Sequence, residues 1–270
     1  MQDLLAVAFQ LITTCIDPKE LEELALFVGQ LEKGNSVFRF LTSGSTGKPK
    51  TYLFQQWQLK MSAEQSIDYF QLSEKEILLC PFSMKYVAAK MMIARAFYAS
   101  CVLVFVGPAL QPLRGDFPTP SFAAFVPSQL ESILDQADSR VQDIKKILIG
   151  GAAISENLER QIKENLKPSV YQSYGMTETL SHIAIRKIKR NSSVSEARYE
   201  VLKGIQIRQN AKRCLEIKVP FLAEWLATND RVELLNAREF RWLGREDLVL
   251  NTGGVKVSIE EVESILQIEL

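Results

Sequence analysis

Short apolar runs alternate with segments of helical periodicity along residues 37–172, and this alternation restricts the possible folds more than any other feature. The runs expected to form strands are Val37–Phe40, Thr51–Phe54, Ile77–Cys80, Cys101–Val106, Phe122–Val126, Ile144–Ile149 and Ser169–Gln172. The helices are expected between them, at 55–70, 86–98, 128–137 and 155–166. Strands that alternate with helices of about 10 to 15 residues predict an α/β fold, with layered, mostly parallel sheets covered by helices.

The two ends of the chain differ from this pattern. Residues 1–34 are predicted to be helical, because Asp17 is a typical N-cap and Pro18 suits the first helical position. Beyond about Arg190 the expected strands are shorter, which indicates a smaller β region over 190–246. Residues 248–257 resemble a hairpin, and a further helix is expected to begin at Ile259.

Composition narrows the function classes. The 270 residues are 47% apolar, and 32 basic residues balance 32 acidic ones, which argues against nucleic acid or an anionic membrane as a partner. Four cysteines without a Cys-x-x-Cys pair predict neither disulfides nor a zinc site. No uninterrupted apolar run reaches about 18 residues and the N-terminus lacks a signal-peptide pattern, so we expect a cytoplasmic protein with no membrane span.

The segment Leu41–Lys50 has the composition of a phosphate-binding loop. It combines two glycines, four hydroxyl side chains and two lysines immediately after a predicted strand. Glycines let backbone N–H groups converge on an anion, and hydroxyls and lysine add further donors. It is not the common P-loop, because Pro49 follows Lys48 and a strand rather than a helix comes next. The alternative is an ordinary polar turn between two strands.

Further segments follow this loop in a fixed order. They are Gly150–Ala153, Tyr174–Thr179, Thr228–Asp230, Gly244–Asp247 and Gly253–Lys256. Taken singly, each has a structural explanation: Tyr174 as a core residue, Glu178 as a helix-terminal acid, Asp230 as a turn residue. Taken together with Thr42–Lys50, they resemble the signatures of the acyl-adenylate-forming enzymes, from about residue 38 to the end of the chain. Asn229 departs from the family pattern, which has glycine there.

This resemblance implies ATP, Mg²⁺ and coenzyme A as the cofactors and a small-molecule carboxylate as the substrate. It implies catalytic roles for Lys50, Thr177 and Glu178, with Glu178 also holding the metal. The nucleotide-binding residues that it implies are Thr42, Ser43, Gly44, Thr46, Gly47, Gly151, Ala152, Ala153, Ser173, Tyr174, Gly175, Asp230 and Arg245. Asp247 would be the hinge, and Gly253 and Gly254 would form the loop that approaches coenzyme A.

Within the family, a further likeness rests on Tyr171–Thr179, which runs into Ser181 and His182, and on Lys90–Met92 with Arg95. These residues resemble the o-succinylbenzoate–CoA ligases of the menaquinone pathway. The acid that these enzymes activate carries a second carboxylate, which calls for a cation. Lys90 and Arg95 lie about 140° apart around one predicted helix, so they cannot both face one pocket. Lys90 is nearer the preceding loop and is the predicted ligand; the role of Arg95 is left open, and a surface charge is the alternative. Tyr86, Ser181 and His182 are the other predicted substrate-binding residues.

The resemblance also predicts the domain organisation. Residues 1–246 would form the AMP-binding N-terminal domain, and 247–270 the hinge and the start of an incomplete C-terminal domain. The family places a catalytic lysine late in that domain, and no lysine follows Lys256 here. We therefore expect a truncated form that binds ATP and substrate but forms the adenylate poorly. The alternatives are an acyl-CoA synthetase for another carboxylate and a non-catalytic ATP- or AMP-binding domain.

Overall fold

The computed structural model describes residues 10–14, 17–34, 36–41, 50–190, 197–252 and 255–258. Five helices are described: α1 (Pro18–Lys33), α2 (Gln56–Phe70), α3 (Val87–Tyr98), α4 (Pro127–Asp135) and α5 (Glu156–Asn165). The N-caps follow from the sequence, since Asp17 accepts a hydrogen bond from the Lys19 amide and Ser155 accepts one from the Leu158 amide. No helix among these residues is both long and apolar enough to cross a membrane.

The strands form one twelve-stranded sheet and two hairpins. The strands are β1 (Gln10–Thr13), β2 (Val37–Leu41), β3 (Thr51–Gln55), β4 (Ile77–Cys80), β5 (Val102–Phe105), β6 (Phe122–Phe125), β7 (Lys146–Ile149), β8 (Ser169–Gly175), β9 (His182–Ile188), β10 (Tyr199–Val201), β11 (Gln206–Gln209), β12 (Cys214–Lys218), β13 (Leu226–Asn236), β14 (Glu239–Arg245), β15 (Val249–Thr252) and β16 (Val255–Ser258). The large sheet has the order β1-β5-β4-β6-β7-β8-β9-β10-β14-β13-β12-β11, and β2–β3 and β15–β16 pair separately.

The large sheet is mixed in direction. Its neighbouring strands are parallel from β1 to β8 and antiparallel from β8 to β11. The predicted α/β fold is confirmed, and its parallel part is the segment where helices connect the strands. The smaller β region predicted after residue 190 continues the same sheet through β10, and its described residues include no α-helix.

Helices cover the sheet on both faces. On β4, Leu78 belongs to the core shared with α1, α2 and α3, whereas its neighbour Leu79 belongs to the core shared with α4 and α5. Successive residues of a strand point to opposite faces, so a continuous apolar run is what a sheet buried on both sides requires. The cysteines described, Cys80, Cys101 and Cys214, are buried free thiols, as the sequence predicts.

The prediction that residues 1–34 are helical throughout is wrong at β1. Gln10–Thr13 pairs in parallel with β5 at the edge of the sheet, with Gln10 opposite Val102. The sequence here, Gln-Leu-Ile-Thr, includes two β-branched residues, and pairing with an open sheet edge decides in favour of a strand. The helix begins only after Asp17.

Candidate active site

A cleft of about 1520 Å³ lies where the parallel strands end. One wall is made by the residues that follow β4, β5, β6 and β7, together with the end of β8; the other includes parts of β13 and β14. Loops at the carboxyl ends of parallel strands are where ligands gather in such sheets. The volume exceeds the roughly 300–1,000 Å³ of an ordinary small-molecule pocket, so the cleft has room for a nucleotide and a second small molecule.

Most of the predicted site residues that the structure describes meet in this cleft. Those that line it are Lys50, Tyr86, Gly151, Ala152, Ala153, Ser173, Tyr174, Gly175, Thr177, Glu178, Asp230 and Arg245. Lys90, Ser181, His182 and Asp247 are described but are not part of its lining. Thr42, Ser43, Gly44, Thr46, Gly47, Gly253 and Gly254 lie outside the described residues. Segments far apart in the chain thus form one surface, and their individual roles stay predictions.

Asp230 is the centre of a hydrogen-bond network in the cleft. It is 7% exposed, and its Oδ2 accepts a 2.6 Å hydrogen bond from the hydroxyl of Tyr174. The indole Nε1 of Trp242 donates to Oδ1 at 3.2 Å, and an Arg245 guanidinium nitrogen lies 3.9 Å from the same oxygen. Burial and the adjacent carboxylate raise the pKa of Tyr174, so its phenol stays protonated as a donor. The sequence did not indicate Trp242, because an aromatic residue on a strand has no distinctive pattern.

The arginine of this network also connects to the predicted hinge. Arg245 donates to both carboxylate oxygens of Asp247, from Nε at 2.9 Å and from Nη2 at 2.7 Å. Asn229, which replaces the family glycine, donates to Asp247 at 3.3 Å. The hydrogen bond from Arg245 lowers the pKa of the Asp247 carboxyl group. Asp247 is therefore fixed to the edge of the cleft, although it does not line it.

A tight turn presents Thr177 and Glu178 to the cleft. Strand β8 ends at Gly175, and a 3₁₀ turn follows at Thr177–Thr179. A Cβ atom on Gly175 would lie 2.3 Å from the carbonyl oxygen of Ser181 and 2.4 Å from Cα of His182, so a side chain does not fit there. Glycine is required because the chain turns back onto itself in an antiparallel pair between β8 and β9.

Glu178 has the chemistry of a Mg²⁺ ligand. Its Oε1 accepts a 3.0 Å hydrogen bond from the hydroxyl of Tyr52 on β3, and the residue lines the cleft. No group of three histidine, cysteine or acidic side chains that could hold a metal occurs in the described part of the chain. A single carboxylate suits Mg²⁺ beside a nucleotide, since this ion commonly takes its other ligands from phosphates and water. The residues present therefore fit the metal that the family resemblance implies.

Beside the predicted adenine wall, the cleft is lined by a buried ionic network that sequence reasoning missed. Gly151 of the wall adopts φ +87°, which turns the chain after β7. In the network, Glu159 of α5 is 2% exposed and accepts hydrogen bonds from Arg186 of β9 at 2.6 Å and Lys163 at 2.7 Å. Arg186 also donates from Nε to the side-chain oxygen of Gln172 at 2.6 Å. The charged residue Arg186 within the largely apolar strand β9 was the sequence signal for this network.

Arg95, whose role the sequence left open, is buried and is not a surface charge. Arg95 is 3% exposed on α3 and makes no salt bridge with a described carboxylate; its Nη2 donates to the hydroxyl of Ser181 and lies 3.5 Å from Nδ1 of His182. Its Nε has no hydrogen-bond partner among the described residues. Burial lowers the pKa of Arg95 to about 10. A charged residue inside the apolar run Met91–Phe97 was the sequence signal for this burial.

Lys90, the predicted ligand, lies elsewhere. Its ammonium group donates to the carbonyl of Arg39 at 3.0 Å and sits over the ring of Phe40, 5.2 Å from its centroid. The separation of Lys90 and Arg95 around the helix is as predicted, but the helix turns Arg95 inward. Arg95 is not part of the cleft lining, but its partner Ser181 is a close neighbour of the cleft residue Gly175.

The sequence and fold of this chain can be compared with those of known proteins. The family described as AMP-binding enzyme matches residues 16–207, most of the chain. The chain belongs to the AMP-binding enzyme family. It is 32% identical to a solved protein of the family from Dyadobacter fermentans, an acyl-CoA synthetase (AMP-forming)/AMP-acid ligase II-like protein, with a TM-score of 0.78 over 94% of this chain and 73% of that one.

Two other relatives of this AMP-binding enzyme carry substrate names. The 2-succinylbenzoate–CoA ligase of Escherichia coli (strain K12) is 26% identical over 242 residues, which are 84% of this chain and 51% of the relative. The chain thus spans about half the length of that relative. The Bacillus subtilis o-succinylbenzoate coenzyme A synthetase, solved with ATP and magnesium ion, has a TM-score of 0.70 at 22% identity over 84% of this chain and 54% of that one. At that identity the likeness concerns the fold.

Proposed function

We propose that this chain is the nucleotide- and acid-binding part of an ATP-dependent acid–CoA ligase. In this reaction the enzyme activates o-succinylbenzoate as an acyl-adenylate and transfers the acyl group to coenzyme A. The observation that carries the proposal is the cleft that collects Lys50, Thr177, Glu178, Asp230 and Arg245 from four separate segments. The 2-succinylbenzoate–CoA ligases among the relatives support the choice of acid.

The first half-reaction joins two anions. A carboxylate oxygen of the acid attacks the α-phosphorus of ATP, the bond from that phosphorus to the pyrophosphate oxygen breaks, and pyrophosphate leaves. Repulsion between the reactants must be offset and their geometry fixed, so the protein acts by positioning and electrostatics. In our proposal Lys50 and the predicted loop residues Thr42, Ser43 and Thr46 hold the β- and γ-phosphates. Thr177 donates its hydroxyl to the α-phosphate.

The nucleoside would lie along the wall between the two sheet regions. Adenine packs between Tyr174 and the Gly151–Ala152 segment, whose lack of bulky side chains leaves a flat surface. The ribose hydroxyls bind Asp230, and Arg245 supplies positive charge beside it. Because Tyr174 and Trp242 already donate to Asp230, its carboxylate is held in place before the nucleotide arrives.

Glu178 would hold Mg²⁺ together with the phosphates. The ion supplies positive charge that offsets the negative charge of the phosphates and of the leaving pyrophosphate. Glu178 itself contributes one hard oxygen ligand in the cleft, next to Thr177, whose hydroxyl would donate to an oxygen of the α-phosphate under attack.

We assign the second carboxylate of the acid to Arg95 rather than to Lys90. A buried cation without an anionic partner is costly, so a carboxylate that reaches it gains much of the energy that burial had cost. The polar groups of Ser181 and His182 lie beside Arg95 and offer further contacts. An alkyl chain would leave that cation uncompensated, which favours a dianionic acid over a fatty acid as the substrate.

In the second half-reaction the thiolate of coenzyme A attacks the carbonyl carbon, the bond from that carbon to the phosphate oxygen breaks, and AMP leaves. The C-terminal part would rotate about Asp247 between the two half-reactions, as hinged parts do in enzymes with sequential steps. The Gly253–Gly254 segment would let the backbone approach the thiol, because glycine carries no side chain there.

Binding measurements test this function independently of turnover. We expect calorimetry to detect ATP with Mg²⁺, AMP and o-succinylbenzoate, with benzoate and hexanoate binding at least tenfold more weakly than the dianion. Asp230→Asn should weaken AMP binding, whereas Asp68→Asn, on the exposed side of α2, should leave it unchanged. Absence of nucleotide binding would refute the proposal. Pyrophosphate release across a panel of acids then separates a ligase for another carboxylate from a domain that only binds nucleotide.

A further inference from the structure

One hydrogen bond connects the strand that follows the predicted phosphate loop to the predicted metal ligand. The hydroxyl of Tyr52 donates to Oε1 of Glu178 at 3.0 Å, although the two residues are 126 positions apart. Tyr52 belongs to β3, which pairs only with β2 among the described strands and forms a hairpin separate from the large sheet. Glu178 belongs to the turn that follows β8. The contact thus joins the β2–β3 hairpin to the turn that follows β8.

Glu178 needs such support from outside its own segment. It lies in a 3₁₀ turn of three residues, a short element with weak hydrogen-bond geometry. The turn ends at Leu180, whose φ of +63° is unusual for a residue with a branched side chain. The Tyr52 hydroxyl occupies one carboxylate oxygen and fixes the direction of the group. The other oxygen is left to act as a single ligand, which is how Mg²⁺ is commonly bound by carboxylates beside phosphates.

The same contact sets the position of Lys50. Thr51 and Tyr52 on β3 pair with Leu41 and Phe40 on β2, at the end of the hairpin where Lys50 precedes β3. Lys50 is two residues from Tyr52 and lines the cleft. A tether at Tyr52 therefore limits how far Lys50 can move from Glu178. Phosphate contacts and the metal ligand have to be correctly spaced for the same triphosphate.

We propose that Tyr52 is a positioning residue that aligns Glu178 and the hairpin for the Mg²⁺–triphosphate group of ATP. This inference rests on the proposed function, and it adds a residue that lies outside the recognised motifs. It does not act on AMP, which lacks the β- and γ-phosphates. The distinction between the two nucleotides gives the inference a specific test.

The test is a Mg²⁺ titration of ATP binding, followed by calorimetry, with Tyr52→Phe as the variant. Loss of one hydrogen bond to a charged group predicts that the Mg²⁺ concentration at half-saturation rises about tenfold. Affinity for AMP without Mg²⁺ should change less than twofold. Tyr171→Phe removes a hydroxyl from a residue outside the cleft lining and should match the wild type.

Glu178→Gln separates failure of this inference from failure of the proposed function. If the wild type binds no ATP, or if Glu178→Gln leaves the Mg²⁺ dependence unchanged, the proposed function is wrong. If Glu178→Gln raises the Mg²⁺ concentration at half-saturation and Tyr52→Phe does not, the role proposed for Tyr52 is wrong. Equal losses of ATP and AMP affinity in Tyr52→Phe would also overturn it, because they indicate a general structural defect.

Discussion

His182 should make the stability of this protein depend on pH between about 5.5 and 7.5, because the ordinary pKa of every other side-chain type lies outside that range. It is the single histidine of the sequence and is 7% exposed. Its Nε2 lies 2.9 Å from the hydroxyl of Ser66, and Arg95 lies 3.5 Å from its Nδ1. Burial, and after it the charge of Arg95, lower the pKa of His182 well below its ordinary value.

The size of the effect follows from proton linkage. Unfolded, the imidazole binds a proton near pH 6.5; folded, it stays neutral, so the unfolded state binds more protons as the pH falls. The stability due to the neutral imidazole is fully present above pH 6.5 and is lost as the pH falls towards the folded pKa. Between pH 7.5 and 5.5 the free energy of unfolding should drop by about 1.4 kcal/mol. In a chain of this size that corresponds to roughly 3–6 °C in Tm.

Thermal denaturation of the untagged protein at pH 5.5, 6.5 and 7.5 measures this drop. His182→Gln is the comparison, because the glutamine amide can still meet the Ser66 hydroxyl but does not titrate. Its Tm should vary by less than about 1 °C over the same range, since carboxyl groups titrate mainly at lower pH. Equal slopes in the two proteins would refute the reasoning. If the variant does not fold, proton NMR of the one histidine gives its pKa directly, and a value above 6 has the same meaning.

Three further substitutions test separate parts of the site. Arg95→Met should weaken o-succinylbenzoate binding about 100-fold by calorimetry, and it should not lower Tm, because it removes an uncompensated buried cation. Lys90→Met should change the affinity less than threefold, and the reverse order of the two effects would assign the carboxylate to Lys90. Trp242→Phe removes one donor to the carboxylate proposed to bind the ribose, so affinity for ATP should fall about fivefold while that for 2′,3′-dideoxy-ATP stays constant; equal losses would contradict this role. Glu159→Gln should lower the free energy of unfolding in urea by about 3 kcal/mol, against less than about 0.5 kcal/mol for the exposed Glu64→Gln; similar values would mean that the buried network contributes little.

The sequence located the elements well where local signals were strong. The helix at Pro18–Lys33 begins at the predicted cap, and the strands from Ile77 to Gln172 lie where the apolar runs predicted them. Caps and apolar runs act over a few residues, so they can be read without knowing the partner. Strand β1 escaped prediction because four residues carry too little pattern of their own, and pairing with β5 decided their conformation.

The site shows the same division. The family resemblance of the motifs predicted that Tyr174, Glu178 and Asp230 belong to one site, and all three line the same cleft, while their roles stay predictions. The apolar run around Arg95 was a signal for its burial, but it did not decide which cation faces the core, because Lys90 and Arg95 occupy the same helix and the rotation of α3 against the sheet distinguishes them.

By itself, the sequence determined the α/β class and the helix starts, since these depend on neighbours within a few positions along the chain. The tertiary structure decided the hydrogen bonds of Asp230 with Trp242 and of Glu178 with Tyr52, and the burial of Arg95. The two hydrogen bonds join residues that are 12 and 126 positions apart in the chain, and the burial of Arg95 places a charge inside the core. Their energies depend on distance and burial, which only the packing of the sheet against its helices and hairpins supplies.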